Sequence, residues 1–206
     1  MKKLFILTVI FLICINTIDA QKRFLAGIKG GLSTSQVAGD TYTGFDKVGL
    51  IGGGFVRAKL NEKWTTQFEI IYIQKGSKHN SNPEVGDFDF YLLRLNYIEV
   101  PVLFQYHQKK FTFEAGPGFG YLQKVEEFDE FGVYISRQPF INTEISFNFG
   151  ISYNLFNNFD VTWRYTNSLN ALRRHVSGAR RWYNPGQQNN VLSFTLSYHF
   201  GKANAE

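Results

Sequence analysis

The stretch Ile141-Asn142-Thr143-Glu144-Ile145-Ser146-Phe147-Asn148-Phe149-Gly150-Ile151-Ser152-Tyr153-Asn154-Leu155 decides the fold class. Its odd positions carry Ile, Phe, Tyr and Leu with one Thr, and its even positions carry only Asn, Glu, Ser and Gly. A strict period of two is the signature of a β-strand with one apolar and one polar face. At about 3.3 Å per residue, a tilted strand of this length crosses a bilayer, and it is about twice as long as a typical globular strand.

The same alternation recurs seven more times. Phe24, Ala26, Ile28, Gly30 and Leu32 share a face opposite Lys29, and Val48 to Leu60 alternate against Arg57 and Lys59. Trp64, Phe68, Ile70 and Tyr72 oppose Gln67 and Glu69, and Ile98 to Tyr106 oppose Glu99 and Gln105. Phe111 to Tyr121 oppose Glu114, Phe159 to Tyr165 oppose Asp160 and Arg164, and Leu192 to Phe200 oppose Ser193, Thr195 and Ser197. The connections alternate in length: 34–46, 76–91, 123–139 and 168–190 are long, whereas Asn61 to Lys63, His107 to Lys110 and Asn154 to Asn158 are tight turns. An even strand number with alternating loops predicts an all-β fold, an eight-stranded antiparallel transmembrane β-barrel with periplasmic termini, short periplasmic turns and long extracellular loops. Aromatics such as Trp64, Tyr106, Phe111 and Tyr153 near the turns, and Tyr72, Tyr121 and Tyr165 near the loops, suit two interfacial girdles. Pro101, in mid-strand, predicts a bulge there, with the alternation lost upstream among Leu92, Leu93, Arg94 and Leu95.

Composition narrows the class further. The chain has 206 residues, 17% of them aromatic and 19% charged, which excludes a disordered polypeptide and suits one domain. A single cysteine, Cys14, excludes a disulfide framework, and without clustered Cys and His no metal site is expected. Lys2 and Lys3, the apolar run Leu4 to Ile15, and Ile18-Asp19-Ala20 before Gln21 read as a secretory signal peptide over 1–20. Residues 21–206 then form the outer-membrane β-barrel domain, and removal of the leader lowers the formal net charge from +5 to +4. A soluble lipocalin-like barrel would turn the apolar face inward. An eight-stranded lumen is too narrow for so many large side chains but accommodates polar ones beside Gly116, Gly118, Gly120 and Gly150.

Several segments resemble one known family. Glu69-Ile70-Ile71-Tyr72-Ile73-Gln74-Lys75-Gly76 looks like the "E-x-x-Y-x-x-K-G" strand of the PorT-type outer-membrane β-barrel family of Bacteroidota. Tyr97-Ile98-Glu99-Val100-Pro101 is similar to its "Y-x-E-x-P" strand, and Gly116-Pro117 to its "G-P" strand. Arg164-Tyr165 with Asn167-Ser168-Leu169, and the closing Tyr198-His199-Phe200, match its last two strands. The resemblance implies an outer-membrane barrel and, through the family's name-giving member, a link to type IX secretion, but no residue-level function.

The polar face places Lys29, Arg57, Lys59, Glu69, Lys75, Glu99, Glu114, Glu144, Asp160 and Arg164 in the lumen, where ion pairs are expected to plug it. A small pore is the alternative, and so is an outer-membrane lipid-modifying enzyme using His79 or His175 with loop serines, although no spacing specifies such a site. Gly52-Gly53-Gly54 lies within a strand and makes no phosphate loop, so no cofactor is expected. The 168–190 loop carries the candidate binding residues Arg173, Arg174, Arg180, Arg181 and Trp182, suited to lipopolysaccharide phosphates or an acidic partner. Equally, these arginines can pair with Glu126, Glu127, Asp129 and Glu130 of the 123–139 loop over the barrel mouth. The expected function is that of a non-enzymatic structural or interaction subunit, linked to secretion or envelope assembly. Its partners are outer-membrane lipid, lipopolysaccharide and envelope or secretion proteins, and not nucleic acid.

Overall fold

The computed structural model describes residues 24–200 apart from 41, 43, 134–138, 157 and 174–185. The expected signal peptide, His175 and the candidates Arg174, Arg180, Arg181 and Trp182 lie outside the described residues. Eight long strands run antiparallel: β1 (Phe24–Ala38), β2 (Lys47–Lys59), β3 (Trp64–His79), β4 (Tyr91–Gln108), β5 (Phe111–Asp129), β7 (Thr143–Phe156), β8 (Phe159–Ser168) and β9 (Gln188–Phe200). The two-residue β6 (Gly132–Val133) folds back on the end of β5, and a single 3-10 turn occupies Pro83–Val85. Each long strand pairs with its neighbour in sequence, and β1 pairs with β9 from Ala26↔Phe200 to Ala38↔Gln188, which closes the sheet.

The register defines the barrel. Starting at Phe111 of β5, directly paired residues run Tyr153, Val161, Leu196, Gly30, Gly52, Tyr72, Ile98 and back to β5 at Tyr121. One circuit therefore climbs from residue 111 to residue 121. With strands about 4.8 Å apart and about 3.3 Å of rise per residue, that stagger tilts the strands by roughly 40°.

Burial confirms which face is which. Large apolar side chains point out, with Ile28, Phe68, Phe104, Ile145, Phe149 and Phe194 about half exposed, whereas Glu69, Lys75, Glu144 and Arg164 are buried inside. A water-soluble protein pays heavily for such an arrangement, and a lipid environment rewards it. Among the described residues no helix is long and apolar enough to cross a membrane, so any crossing is made by the strands.

The bulge lies elsewhere than Pro101. The β4–β5 register shifts between Asn96 and Tyr97, where β5 carries Gln123 as its extra residue, while Pro101 pairs with Gly118 without a shift. Pairing of β4 with β3 lapses between Val102 and Glu99 with equal residue counts on both strands, so the missing N–H is absorbed without an insertion. Nor is the alternation lost upstream. Leu93, Leu95 and Tyr97 point inward in phase with Glu99, and the lumen there is apolar rather than polar. Strands β1, β3 and β5 also run on into segments whose composition reads as loop, to Ala38, His79 and Asp129.

Candidate functional site

The chemistry-bearing residues are strung along the lumen in connected groups. Alternation on β1, β3, β5 and β8 brings Lys29, Glu69, Glu114 and Arg164 to one level near the middle of the barrel. Arg164 donates from Nη1 and Nη2 to the two oxygens of Glu69, 2.8 Å each, and from Nε to Glu114 at 2.7 Å. Lys29 donates to Glu69 at 3.0 Å, while Gln67 and Gln105 add amide donors to Glu69 and Glu114. Two cations and two carboxylates thus cancel, with most lone pairs occupied, as a low-dielectric interior requires.

Toward the long-loop end, Lys75 bonds Glu144 at 2.8 Å and contacts Glu99, with its ammonium 5.1 Å from the Tyr97 ring centroid. Ser168 and Asn189 donate to Glu144 at 2.6 and 3.0 Å. Toward the short-turn end, His199 and Asp160 share a 2.6 Å contact, Asn154 donates to Asp160, and Arg57 lies 3.6 Å from it. His107 contacts Thr65 and Thr112. Of the ten ionisable side chains that the alternation assigns to the lumen, only Lys59, at the short-turn end, is exposed.

The long-loop end of the lumen is filled by an apolar group that sequence reasoning missed. Val37, Ile51, Ile73, Leu93, Leu95, Tyr97, Leu122 and Val191 point inward, and Leu172, from the connection between β8 and β9, is packed fully among them. Backbone bonds Ile141 N–H to Leu172 O (2.6 Å) and Leu172 N–H to Gln187 O (2.8 Å) hold that connection down. The available signal was Leu93-Arg94-Leu95, apolar on the face that is polar elsewhere.

Of the candidate binding residues, Arg173 is 9% exposed. It donates from both terminal nitrogens to Glu127 (3.1 Å each), from Nε to Gln187 (3.0 Å), and lies 4.5 Å from the Phe140 ring centroid. Tyr91 donates to the same carboxylate at 2.6 Å. Here a basic loop residue and an acidic one pair over the mouth. Of the histidines, His79 contacts Asp87 at 2.7 Å and stacks on Tyr42, with centroids 4.6 Å apart. In the first long loop, burial holds the Asp40 carboxyl above its usual range. Among the described residues no cluster of three or more His, Cys, Asp or Glu suits a metal ion. Glu69 and Glu114 are each bonded to a cation and to an amide, which braces the barrel across its width.

Comparison with known proteins agrees with this geometry. Residues 19–174 match the family described as outer membrane protein beta-barrel domain. Among solved structures, the fold is similar to Ail, the attachment invasion locus protein of Yersinia pestis, crystallised with the heparin analogue sucrose octasulfate. The TM-score is 0.50 at 16% identity, over 86% of this chain and 99% of that one. It is similar also to neisserial surface protein A, with a TM-score of 0.50 at 12% identity, over 86% of this chain and 97% of that one. At these identities the likeness is one of fold. No curated protein sequence matches the chain. The apolar exterior therefore faces outer-membrane lipid, the short turns face the periplasm and the long loops face outward. With its closed eight-stranded sheet and the match over most of its length, the chain belongs to the outer membrane protein beta-barrel domain family.

Proposed function

We propose that this barrel is a non-enzymatic, non-conducting interaction subunit of the outer membrane, serving secretion of the type IX kind or envelope assembly. The observation that carries the reading is the Lys29–Glu69–Arg164–Glu114 network, which spans the lumen with its charges mutually neutralised. A transport path or a hydrolytic site needs free polar groups and water, whereas an inert braced cylinder is suited to holding loops at a fixed height. The resemblance of Glu69 to Gly76, Tyr97 to Pro101 and Gly116-Pro117 to the PorT-type family supports the secretion link. The contact surface of this reading is the connection that leaves the mouth at Arg173 and returns at Gln187, two residues bridged to each other. Between them, Arg174, Arg180, Arg181 and Trp182 supply positive charge and an aromatic anchor for an acidic partner.

The test is in-cell crosslinking and native purification of the tagged protein, with lipid A profiles of a deletion strain alongside. The reading expects recovery of a defined envelope or secretion protein, lost on replacing Arg174, Arg180 and Arg181 by Gln, and an unchanged lipid A profile. Purification of the barrel alone together with an altered lipid A profile overturns it in favour of an enzyme.

A further inference from the structure

The outer wall changes character on one side of the barrel. Apart from Thr66, outward-facing side chains of β3, β4 and β5 are apolar or aromatic up to Tyr72, Ile98 and Tyr121, which are neighbours in register. Beyond them the same face carries Gln74 and Asn96, then the cations Lys78, Arg94 and Lys124, with Leu92 and Phe128 past Arg94. Arg94 lies between Gly76 on one side and Glu126 on the other, and Lys124 pairs with Asn96.

Lys124 reaches this face only through the bulge. Before Gln123 the even-numbered residues of β5, such as Gly120 and Leu122, point into the lumen, and the extra residue turns Lys124 outward. Its side chain is 61% exposed and that of Arg94 50%. Glu126 is the counter-charge they share, 2.8 Å from Lys124 and 3.8 Å from Arg94. The patch therefore carries excess positive charge. On the opposite wall the outward residues at the corresponding ends of β8, β9 and β1 are the uncharged Asn167, Asn190 and Gln36.

Height identifies the ligand class. Lys124 pairs with Asn96, two residues beyond Ile98, Arg94 is four beyond Ile98 and Lys78 six beyond Tyr72, which on strands tilted by roughly 40° places their backbones about 5, 10 and 15 Å above the level of Tyr72, Ile98 and Tyr121. Lys124 starts within the headgroup layer of the outer leaflet, just outside the hydrocarbon, and the long side chains of Arg94 and Lys78 can extend back to it. The geometry points to Lys78, Arg94 and Lys124 as a binding site for the phosphorylated headgroup of an outer-leaflet glycolipid of the lipid A type. Its acyl chains lie along the apolar wall at Tyr72, Ile98 and Tyr121. An amphiphile with an anionic head and apolar tails matches both halves of the surface, and guanidinium and ammonium groups are phosphate donors. This site is separate from the mouth residues of the proposed function, and its test does not depend on them.

The test uses the folded protein in phosphatidylcholine nanodiscs, titrated with purified phosphorylated lipid A or with the same lipid A enzymatically dephosphorylated. Bound lipid per barrel is counted by native mass spectrometry. The expected result is retention of phosphorylated lipid A, weaker by about fivefold or more for the dephosphorylated form and for Lys78→Gln/Arg94→Gln/Lys124→Gln. Retention in Arg174→Gln/Arg180→Gln/Arg181→Gln is expected to match the wild type. Equal retention of the two lipids by the wild type overturns the site whether or not the triple variant folds. Loss in the mouth variant with none in the wall variant overturns it as well.

Discussion

Arg164 on β8 grips both carboxylate oxygens of Glu69 on β3, at 2.8 Å each, from the opposite wall of the barrel. The two strands are four apart in either direction around the closed sheet, so this pair measures the full width of the lumen. Contact across it by two side chains is possible only because the cylinder is small and because glycines such as Gly118 and Gly150 leave room on the walls between.

Arg164→Met leaves Glu69 and Glu114 buried with Lys29 bonded to Glu69 alone and Arg57 farther off, a loss of about 3–5 kcal/mol. Removing Glu69 as well, in Arg164→Met/Glu69→Leu, leaves Lys29 and Glu114 balanced and is expected to cost less than the single change. Equilibrium urea unfolding in phospholipid vesicles, followed by tryptophan fluorescence, measures both. Additive losses would remove the neutralised network from the account.

Outside the barrel the cost of a charge depends on depth. Phe149, in the middle of β7, is about half exposed on the lipid face, whereas Tyr121 stands at its upper edge. Phe149→Arg is expected to cost about 2–4 kcal/mol and Tyr121→Arg about 1 kcal/mol or less. The same vesicle titration separates them.

Gly76 in β3 has φ +139°, and a Cβ there would fall on the Leu93 carbonyl oxygen. At Gly30, in contrast, the nearest atom to an added Cβ is the Ile51 oxygen at 3.9 Å. Gly76→Ala is therefore expected to lose about 2 kcal/mol or more, and Gly30→Ala about 0.5 kcal/mol or less. Unfolding midpoints of the two variants provide the check.

Leu172→Ala opens a void among Val37, Leu93, Leu95 and Leu122 and is expected to cost about 2–4 kcal/mol. Arg173→Ala leaves Glu127 and Tyr91 without their guanidinium and is expected to cost about 2–3 kcal/mol. If both variants unfold like the wild type, this connection is not packed into the mouth.

Strand number, strand face and most of the lumen were legible in the sequence because lipid outside and charge inside impose a period of two on every strand. Lys29, Glu69, Glu114 and Arg164 could each be placed in the lumen on alternation alone, but their meeting at one level shows only in the register of the closed sheet. The long-loop end was not legible, for a physical reason. Above the hydrocarbon the outer face no longer has to be apolar, so Arg94 and Lys124 appear outside while Leu93, Leu95 and Leu122 appear inside, and the pattern inverts. Pro101 drew the bulge to the wrong place because a missing N–H is easily seen, whereas the insertion of Gln123 shows only in the pairing of two strands. The pairing of Arg173 with Glu127 joins residues 46 apart in sequence, and spacing does not reveal it.

Conductance tests the central claim most directly, that the lumen is sealed and the barrel acts as a scaffold. Folded protein, verified by its heat-dependent electrophoretic mobility, is incorporated into planar lipid bilayers and clamped in concentrated potassium chloride. The account predicts no current steps above the protein-free bilayer, for the wild type and also for Leu172→Ala, since the Arg164 network still spans the lumen. Reproducible unitary steps from the wild type, abolished when the protein is boiled before addition, would contradict it and make the barrel a pore.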